Sequence, residues 1–96
     1  MRWIWEAEKN VINRQRHKLR FETASLVFND PLAASRRDFY PYEERWQTIG
    51  AIGHVIVLVV HTPPEMDVIT GEETGRIISA RKATPHERRI YEDGEF

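Results

Sequence analysis

The chain has 96 residues, of which 41% are hydrophobic and 30% are charged, and it contains no cysteine. This length and composition predict one globular domain spanning residues 1–96 and argue against disorder. Without cysteine there is no disulfide framework, thiolate zinc site or cysteine nucleophile. The longest apolar run, Val55–Val60, is too short to span a membrane, and no apolar signal segment opens the sequence. We therefore expect a cytoplasmic protein.

Basic residues are concentrated in two segments, although the formal net charge is only −1. Residues 9–20 contain five basic side chains and no acidic one, and residues 76–89 contain five against Glu87 alone. The acidic residues collect in segments 65–73 and 92–95. Segregated charge of this kind can form an anion-binding site on a near-neutral protein. Two solvated helix faces are the alternative interpretation.

The first third of the chain predicts a short strand and two helices. Trp3–Trp5 has the alternation of a strand, and Glu6–His17 contains neither glycine nor proline, which favours a helix. Phe21–Phe28 carries apolar residues at the spacing of a buried helical stripe. Pro31 ends this second helix, because the residue before a proline avoids the helical region.

The remainder predicts an antiparallel sheet closed by a helix. The predicted strands are Leu32–Phe39, Arg45–Ala51, His54–Thr62 and Arg76–Arg81. The second and third form a hairpin around Ile52–Gly53, and residues 63–75 form a long loop. Thr84 and Glu87 flank Pro85 as a capping box, so a last helix runs to about Asp93. The order predicts an α+β domain, with two N-terminal helices and one C-terminal helix packed on a small antiparallel sheet.

The predicted hairpin suggests one catalytic pair. If Ala51 faces His54, then Glu44 lies directly opposite His61, and cross-strand partners share a face of the sheet. A carboxylate in that position would orient the imidazole and raise its pKa, making it an acid at neutral pH. A polar pair at a fraying strand end is the alternative. A register shift by one residue would separate the two side chains.

Other groups in the sequence suggest phosphate binding rather than metal binding. Arg76 and Arg81 lie at the two ends of the last predicted strand, and the planar guanidinium suits phosphate. A solvated strand edge is the alternative for both. The four histidines lack ligand spacing, and the glycines of the acidic loop are isolated. We therefore expect no metal and no cofactor.

Many of these residues together resemble the BrnT family. In the first half the matching positions are Trp5, Lys9, Asn13, His17, Phe21, Ala24, Val27–Phe28, Asp30–Pro31, Glu44–Arg45 and Ile49–Gly50. In the second half they are Val60–Thr62, Arg76–Thr84, Glu87–Arg89 and Tyr91–Glu92. The segment Arg76–Thr84 with Glu87–Arg89 is the most specific part. The resemblance covers nearly the whole chain.

The resemblance implies a ribonuclease toxin of a type II toxin–antitoxin system, with a fold similar to that of the RelE toxins. The implied partner is a BrnA-like antitoxin with a ribbon-helix-helix DNA-binding part, in a two-plus-two complex. DNA would be contacted only through the antitoxin. The chain departs from the family at Glu6, where Asp is usual, at Lys18, where Gly is usual, and in its longer 63–75 loop. Lys18 would carry a left-handed penalty if the family's helix end is kept.

RNA cleavage without a metal uses the 2′-hydroxyl as nucleophile, and it requires proton transfer and positive charge at the phosphate. The candidate catalytic residues are Glu44, His61, Arg81 and Tyr91. The candidate RNA-binding residues are Lys9, Arg45, Arg76, Lys82 and Arg88. Core packing of the closing helix is the alternative for Tyr91. For Lys9, which shares one helix stripe with Asn13 and His17, the alternative is attachment of the helix to the sheet. A non-catalytic antitoxin-binding or regulatory module, or an enzyme acting on another phosphate-bearing substrate, also fits the sequence.

Overall fold

A computed structural model describes all residues from 1 to 96, with three α-helices, one 3-10 helix and six strands. The helices are α1 (Ala7–His17), α2 (Phe21–Ala24) and α3 (Pro85–Glu92), and the 3-10 helix spans Ser25–Asn29. The strands are β1 (Arg2–Ile4), β2 (Ala34–Arg37), β3 (Trp46–Ile52), β4 (Val55–His61), β5 (Glu65–Met66) and β6 (Glu73–Lys82). None of the helices is long and apolar enough to cross a membrane.

The six strands form one mixed sheet in the order β1-β6-β4-β3-β2, with β5 paired to the start of β6. The expected purely antiparallel sheet is wrong in one respect, because β1 runs parallel to β6. All elements from α1 to β5 lie between these two strands in the sequence, so the connection far exceeds the length that a parallel pair requires. Strand β4 is central, which agrees with its unbroken run of Val, Ile and Leu.

The hairpin between β3 and β4 turns at Gly53–His54, so that Ile52 pairs with Val55 and Trp46 pairs with His61. Gly53 has a φ of 60°, a conformation that glycine adopts without steric cost. The predicted register, with Ala51 opposite His54, is therefore wrong. Ala51 pairs with Ile56, so β4 is displaced by two residues from its predicted position. A shift of two keeps every side chain on its predicted face of the sheet.

The main core lies between α2, the 3-10 helix and one face of the sheet, which we call the helix-side face. Its fully buried members are Phe21, Ala24, Val27, Val57, Val59, Ile77 and Ala80. Gly50 lies under the 3-10 helix, where an added Cβ would come within 2.9 Å of the Val27 carbonyl oxygen. Gly75 lies under the ring of Trp3, with which an added Cβ would clash. Both glycines thus permit close packing on this face.

The opposite face of the sheet carries Ile49 and Leu58, which pair with each other and are both buried. Contacts from α3 and the C-terminus reach this face. Arg81, which pairs with Leu58, binds Glu87 of α3, and the Arg36 guanidinium lies 4.0 Å from the centre of the Phe96 ring. The sheet is therefore flanked on both faces, with α2 and α3 on opposite sides.

Several predicted segments differ in extent from those observed. The second predicted helix changes to 3-10 geometry after Ala24, and the predicted strand Leu32–Phe39 is reduced to β2. The predicted 63–75 loop contains β5, whose pairing with Glu73 and Thr74 extends β6 by three residues at its start. The capping box of α3 is confirmed, since Thr84 and Glu87 exchange the two expected hydrogen bonds.

Candidate functional site

A cavity of about 430 Å³ opens on the helix-side face, beside the end of the 3-10 helix. Its lining residues are Trp3, Phe28, Ser35, Glu44, Trp46, Thr48, His61, Pro63 and Pro64. Strands β2, β3 and β4 present Ser35, Thr48, Trp46 and His61 on one face, because Ser35 pairs with Thr48 and Trp46 pairs with His61. The cavity lies within the size range of small-ligand sites.

His61 lies at the base of this cavity, and both its ring nitrogens are hydrogen-bonded. Its Nδ1 lies 2.8 Å from the Thr62 carbonyl oxygen, which only accepts, so Nδ1 carries the proton. Its Nε2 lies 2.6 Å from the Thr48 hydroxyl, and that hydroxyl lies 2.7 Å from the hydroxyl of Ser35. In the neutral imidazole, Nε2 accepts from Thr48. A chain of hydroxyls thus leads from buried His61 to exposed Ser35.

The surroundings of His61 disfavour its charged form. The side chain is almost fully buried, with 5% of its surface exposed, and the rings of Trp3 and Phe28 contact it edge to face at centroid distances of 4.9 and 5.2 Å. Burial lowers the pKa of His61 below its usual 6.5, and the hydrogen bond to the Thr62 carbonyl opposes this only in part. The arrangement provides a neutral imidazole, which is the protonation state of a general base.

Glu44 and His61 line the same cavity, but they do not form the predicted pair. Trp46 is the residue opposite His61, and the Glu44 carboxylate accepts a 2.8 Å hydrogen bond from the Trp46 indole Nε1. The expectation that Glu44 raises the pKa of His61 is wrong, because desolvation lowers that pKa and no hydrogen bond joins the two side chains. The face was predicted correctly and the register was not.

Arg81 does not share the cavity with His61. It pairs with Leu58 in β4, three residues from His61, and therefore faces the opposite side of the sheet. Its guanidinium makes two hydrogen bonds to the Glu87 carboxylate, of 2.7 and 3.0 Å. This pair holds the pKa of Glu87 down to about 2 and raises that of Arg81. A contact between Arg81 and RNA stays a prediction, and the structure gives this side chain a role in attaching α3.

Arg45 and Arg76 converge on a single carboxylate. The Arg76 Nη2 lies 2.9 and 3.0 Å from the two oxygens of Glu43, and the Arg45 Nε lies 3.0 Å from one of them. Hydrogen bonds from both arginines lower the pKa of Glu43. The Arg45 guanidinium also stacks on the ring of Tyr40, 3.6 Å from its centre. Neither arginine lines the cavity.

The other predicted site residues lie apart from His61. The Tyr91 hydroxyl donates to Asp30, which raises the pKa of Tyr91 to about 12. Lys9 borders a shallow depression between α1 and β6, and Lys82 and Arg88 border another beside the β3–β4 turn. No group of three or more His, Asp or Glu side chains is arranged to hold a metal ion. The cavity thus unites only Glu44 and His61 of the predicted set.

Sequence reasoning missed Ser35, Thr48 and the aromatic lining of the cavity. Ser35 and Thr48 are common polar residues in strands. Thr48 lies 13 residues before His61, and nothing nearby in the sequence indicates that the two side chains meet. Trp3, in β1, and Trp46, at the start of β3, carried a usable signal, since large aromatic side chains commonly line ligand pockets. Their convergence depends on β1 pairing with β6.

The chain was compared with known protein families and with curated proteins. Residues 5–87 match the family described as the ribonuclease toxin BrnT of type II toxin–antitoxin systems. No curated protein matches the chain significantly. The match extends from the start of α1 to the capping box of α3 and includes every strand except β1. The chain therefore belongs to the BrnT family of ribonuclease toxins.

Proposed function

We propose that this chain is an endoribonuclease toxin that cleaves RNA without a metal ion and thereby inhibits translation and growth. The family supports the ribonuclease class. The observation that carries the proposal is His61, a buried imidazole with a fixed tautomer at the base of an aromatic cavity. We further propose that the packing of helices on a small sheet follows the RelE toxin fold.

In the proposed reaction the 2′-hydroxyl of a ribose attacks the adjacent phosphorus and displaces the 5′-oxygen. The bond from phosphorus to the 5′-oxygen breaks, and a 2′,3′-cyclic phosphate forms. The 2′-hydroxyl proton passes to Ser35, and the hydroxyls of Ser35 and Thr48 relay a proton to Nε2 of His61. The displaced 5′-oxygen takes its proton from water, and the proton on His61 returns to water through Thr48 and Ser35.

Positive charge for the phosphate is available at Arg37 rather than at Arg81. Arg37 pairs with Trp46 and therefore points to the helix-side face, two residues from Ser35. It is exposed and forms no ion pair, unlike Arg45, Arg76 and Arg81. We propose that Arg37 contacts the scissile phosphate at the rim of the cavity.

A cleavage assay in excess EDTA tests this function. The purified chain is expected to cut RNA and leave 2′,3′-cyclic phosphate ends. His61→Gln and Arg37→Ala are each expected to lower the rate by about 100-fold. His54→Gln, in the exposed β3–β4 turn, and Arg89→Ala, on exposed α3, serve as matched controls. Cleavage that requires an added divalent ion, or that persists in His61→Gln, would contradict the mechanism.

Family membership implies an antitoxin partner. We propose that it is a BrnA-like ribbon-helix-helix protein in a two-plus-two complex. Co-expression with the neighbouring gene should relieve toxicity, and the mass of the natively expressed complex should equal two copies of each chain. A monomer that is tolerated at high expression, with no companion protein, would contradict the toxin function.

A non-catalytic antitoxin-binding module remains the second candidate. This candidate is favoured because both ring nitrogens of His61 and the guanidinium of Arg81 already form hydrogen bonds within the protein. A substrate would have to compete with these bonds. In that case the chain would bind its antitoxin normally and show no cleavage in the same assay. The two outcomes are distinguished by measuring complex formation and RNA cleavage on one preparation.

A further inference from the structure

We propose that the cavity on the helix-side face binds a guanine base of the RNA and that the Glu44 carboxylate identifies it. This inference rests on the proposed function, since it takes RNA as the ligand. It adds the substrate specificity of the site, which neither the family match nor the catalytic chemistry defines.

The composition of the cavity selects a base over a phosphate. Among its nine lining residues there is no lysine or arginine, so nothing inside it would neutralise a phosphate. The lining is instead rich in flat apolar groups, namely Trp3, Phe28, Trp46, Pro63 and Pro64. Proteins that read single-stranded RNA place unstacked bases against such aromatic side chains and bond their edges. Arg37 at the rim leaves the phosphate outside the cavity.

In this largely apolar cavity, Glu44 is the group that can distinguish one base from another. Trp46 Nε1 donates to one carboxylate oxygen at 2.8 Å, and this bond fixes the side chain at the cavity wall. Unlike Glu43 and Glu87, Glu44 binds no arginine or lysine. A carboxylate has about four acceptor sites, so both oxygens can still accept hydrogen bonds. The Glu44 carboxylate is thus held in place by Trp46 and can still accept hydrogen bonds from a ligand.

Guanine is the base that matches such an acceptor. Its Watson–Crick edge presents two adjacent donors, N1–H and the N2 amino group, which a carboxylate can bind through both oxygens. Adenine and cytosine each place a ring acceptor beside their amino group, and uracil places carbonyl oxygens on both sides of its one donor. Each of these would bring an acceptor against the carboxylate. Glu44 is exposed in the free protein, and a base bound in the cavity would cover it. A base that sets an acceptor against the covered carboxylate leaves that carboxylate unpaired, which disfavours every base except guanine.

Glu44 and the hydroxyl of Ser35 lie at opposite ends of the cavity, so a base bound at Glu44 leaves the other end free for the reaction. Along β3, Thr48 and then Trp46 face the cavity, and Glu44 lies two residues beyond Trp46. Ser35 pairs with Thr48 and therefore lies at the end of the cavity away from Glu44. A base bonded to Glu44 would thus extend its ribose toward the hydroxyls that connect to His61.

Binding of nucleoside 3′-monophosphates to the purified chain tests the proposal directly. Trp3 and Trp46 line the cavity, so quenching of tryptophan fluorescence reports occupancy. We expect guanosine 3′-monophosphate to bind at least about 10-fold more tightly than the adenosine, cytidine and uridine compounds. Inosine 3′-monophosphate, which lacks the N2 amino group, should be intermediate. Inorganic phosphate at the same concentration should not compete.

A matched pair of variants assigns the preference to Glu44. Glu44→Gln keeps an acceptor for the Trp46 indole but replaces one oxygen by a donor, so the guanine preference should fall to less than about 3-fold. Glu92→Gln, an exposed position on α3, should retain the preference. Equal binding of the guanosine and adenosine compounds, or competition by phosphate alone, would overturn the proposal. Guanine binding without RNA cleavage would leave this site standing and contradict the proposed enzymatic function.

Discussion

At the scale of single residues, the central feature is an imidazole kept neutral by its packing. Two hydrogen-bond partners and two aromatic edges surround His61, and no carboxylate is bonded to it. A cation in this position would lose most of its hydration without gaining a counter-ion. His61 is therefore suited to accept a proton as a general base, rather than to donate one as a general acid.

The lowered pKa of His61 links protonation to unfolding. Below its unfolded-state pKa, near 6.5, the unfolded chain binds a proton that folded His61 resists, so stability is lost as the pH falls. Above pH 6.5 the protonation of His61 should not affect the urea midpoint. Between pH 6.5 and pH 5 the midpoint should decrease. His61→Gln should flatten that slope, whereas His54→Gln should not. An unchanged slope in His61→Gln would contradict the assignment.

A second residue-scale feature is Asn13, whose amide completes the free edge of β6. Strand β1 covers only the first part of that edge, and beyond it the Asn13 side chain bonds both the N–H and the C=O of Ala80, at 3.1 and 2.9 Å. The same amide donates to the Leu19 carbonyl at 2.9 Å. Asn13 thus fastens α1 to the sheet through backbone groups that would otherwise be buried unpaired.

Replacement of Asn13 should therefore be costly. Asn13→Leu keeps the volume but leaves the N–H and C=O of Ala80 without partners, and we expect it to lower the free energy of unfolding by about 2–4 kcal/mol. Gln15→Leu, on the exposed side of the same helix, should change it by less than about 0.5 kcal/mol. Urea denaturation of the two variants measures both values. Equal stability of the two variants would show that Asn13 does not fasten the helix.

At the scale of elements, the end of α1 is strained at one position. Lys18 terminates the helix in the left-handed conformation, with φ 58° and ψ 32°, and its N–H bonds the Arg14 carbonyl. Lys18 therefore adopts a conformation that glycine takes most easily. The helix end thus carries the steric cost of a Cβ at this residue.

Restoring glycine should stabilise the protein. We expect Lys18→Gly to raise the free energy of unfolding by about 1 kcal/mol, because glycine adopts this conformation without the Cβ clash. Lys9→Gly, in the interior of the same helix, should lower it by about 1 kcal/mol. Thermal denaturation distinguishes the two signs. A loss of stability in Lys18→Gly would mean that the lysine side chain makes a contribution larger than the strain.

At the scale of the whole molecule, the two faces of the sheet have different roles. The helix-side face holds the main core and the cavity, and the opposite face is connected to α3 by ionic and polar contacts. Arg81 of the opposite face binds Glu87 of α3, and Tyr91 of α3 binds Asp30 at the end of the 3-10 helix. These contacts fix the closing helix, while the cavity is built from the strands and the N-terminal aromatics.

Acid should weaken the attachment of α3. Hydrogen bonds from Arg81 and the Thr84 backbone lower the pKa of Glu87 from 4.5 to about 2, so its stabilisation is complete above pH 4.5 and is lost as the pH falls toward 2. With allowance for the exposure of Arg81, we expect Glu87→Gln to cost about 1–2 kcal/mol at pH 7. The difference from the unmodified protein should narrow below pH 4.5. Glu92→Gln should show no such difference, and a pH-independent difference in Glu87→Gln would contradict this role.

Local signals in the sequence determined several elements by themselves. The unbroken apolar run of β4 predicted a central strand. The capping box at Thr84 and Glu87 and the glycine-free stretch of α1 depend on contacts within a few residues, and both were predicted. These two features follow from hydrogen bonds and sterics between near neighbours, which a single sequence contains.

Which side chains meet depends on contacts between distant segments of the chain. The direction of β1, the turn at Gly53–His54 and the side of the sheet on which Arg81 lies all depend on pairings between distant segments. Strand alternation placed Glu44 and His61 on one face, but the turn residues fixed the register and put Trp46 opposite the histidine. A shift of two residues preserves the hydrophobic pattern, so the pattern cannot reveal it. The cavity, its hydroxyl chain and the lowered pKa of His61 all result from that register.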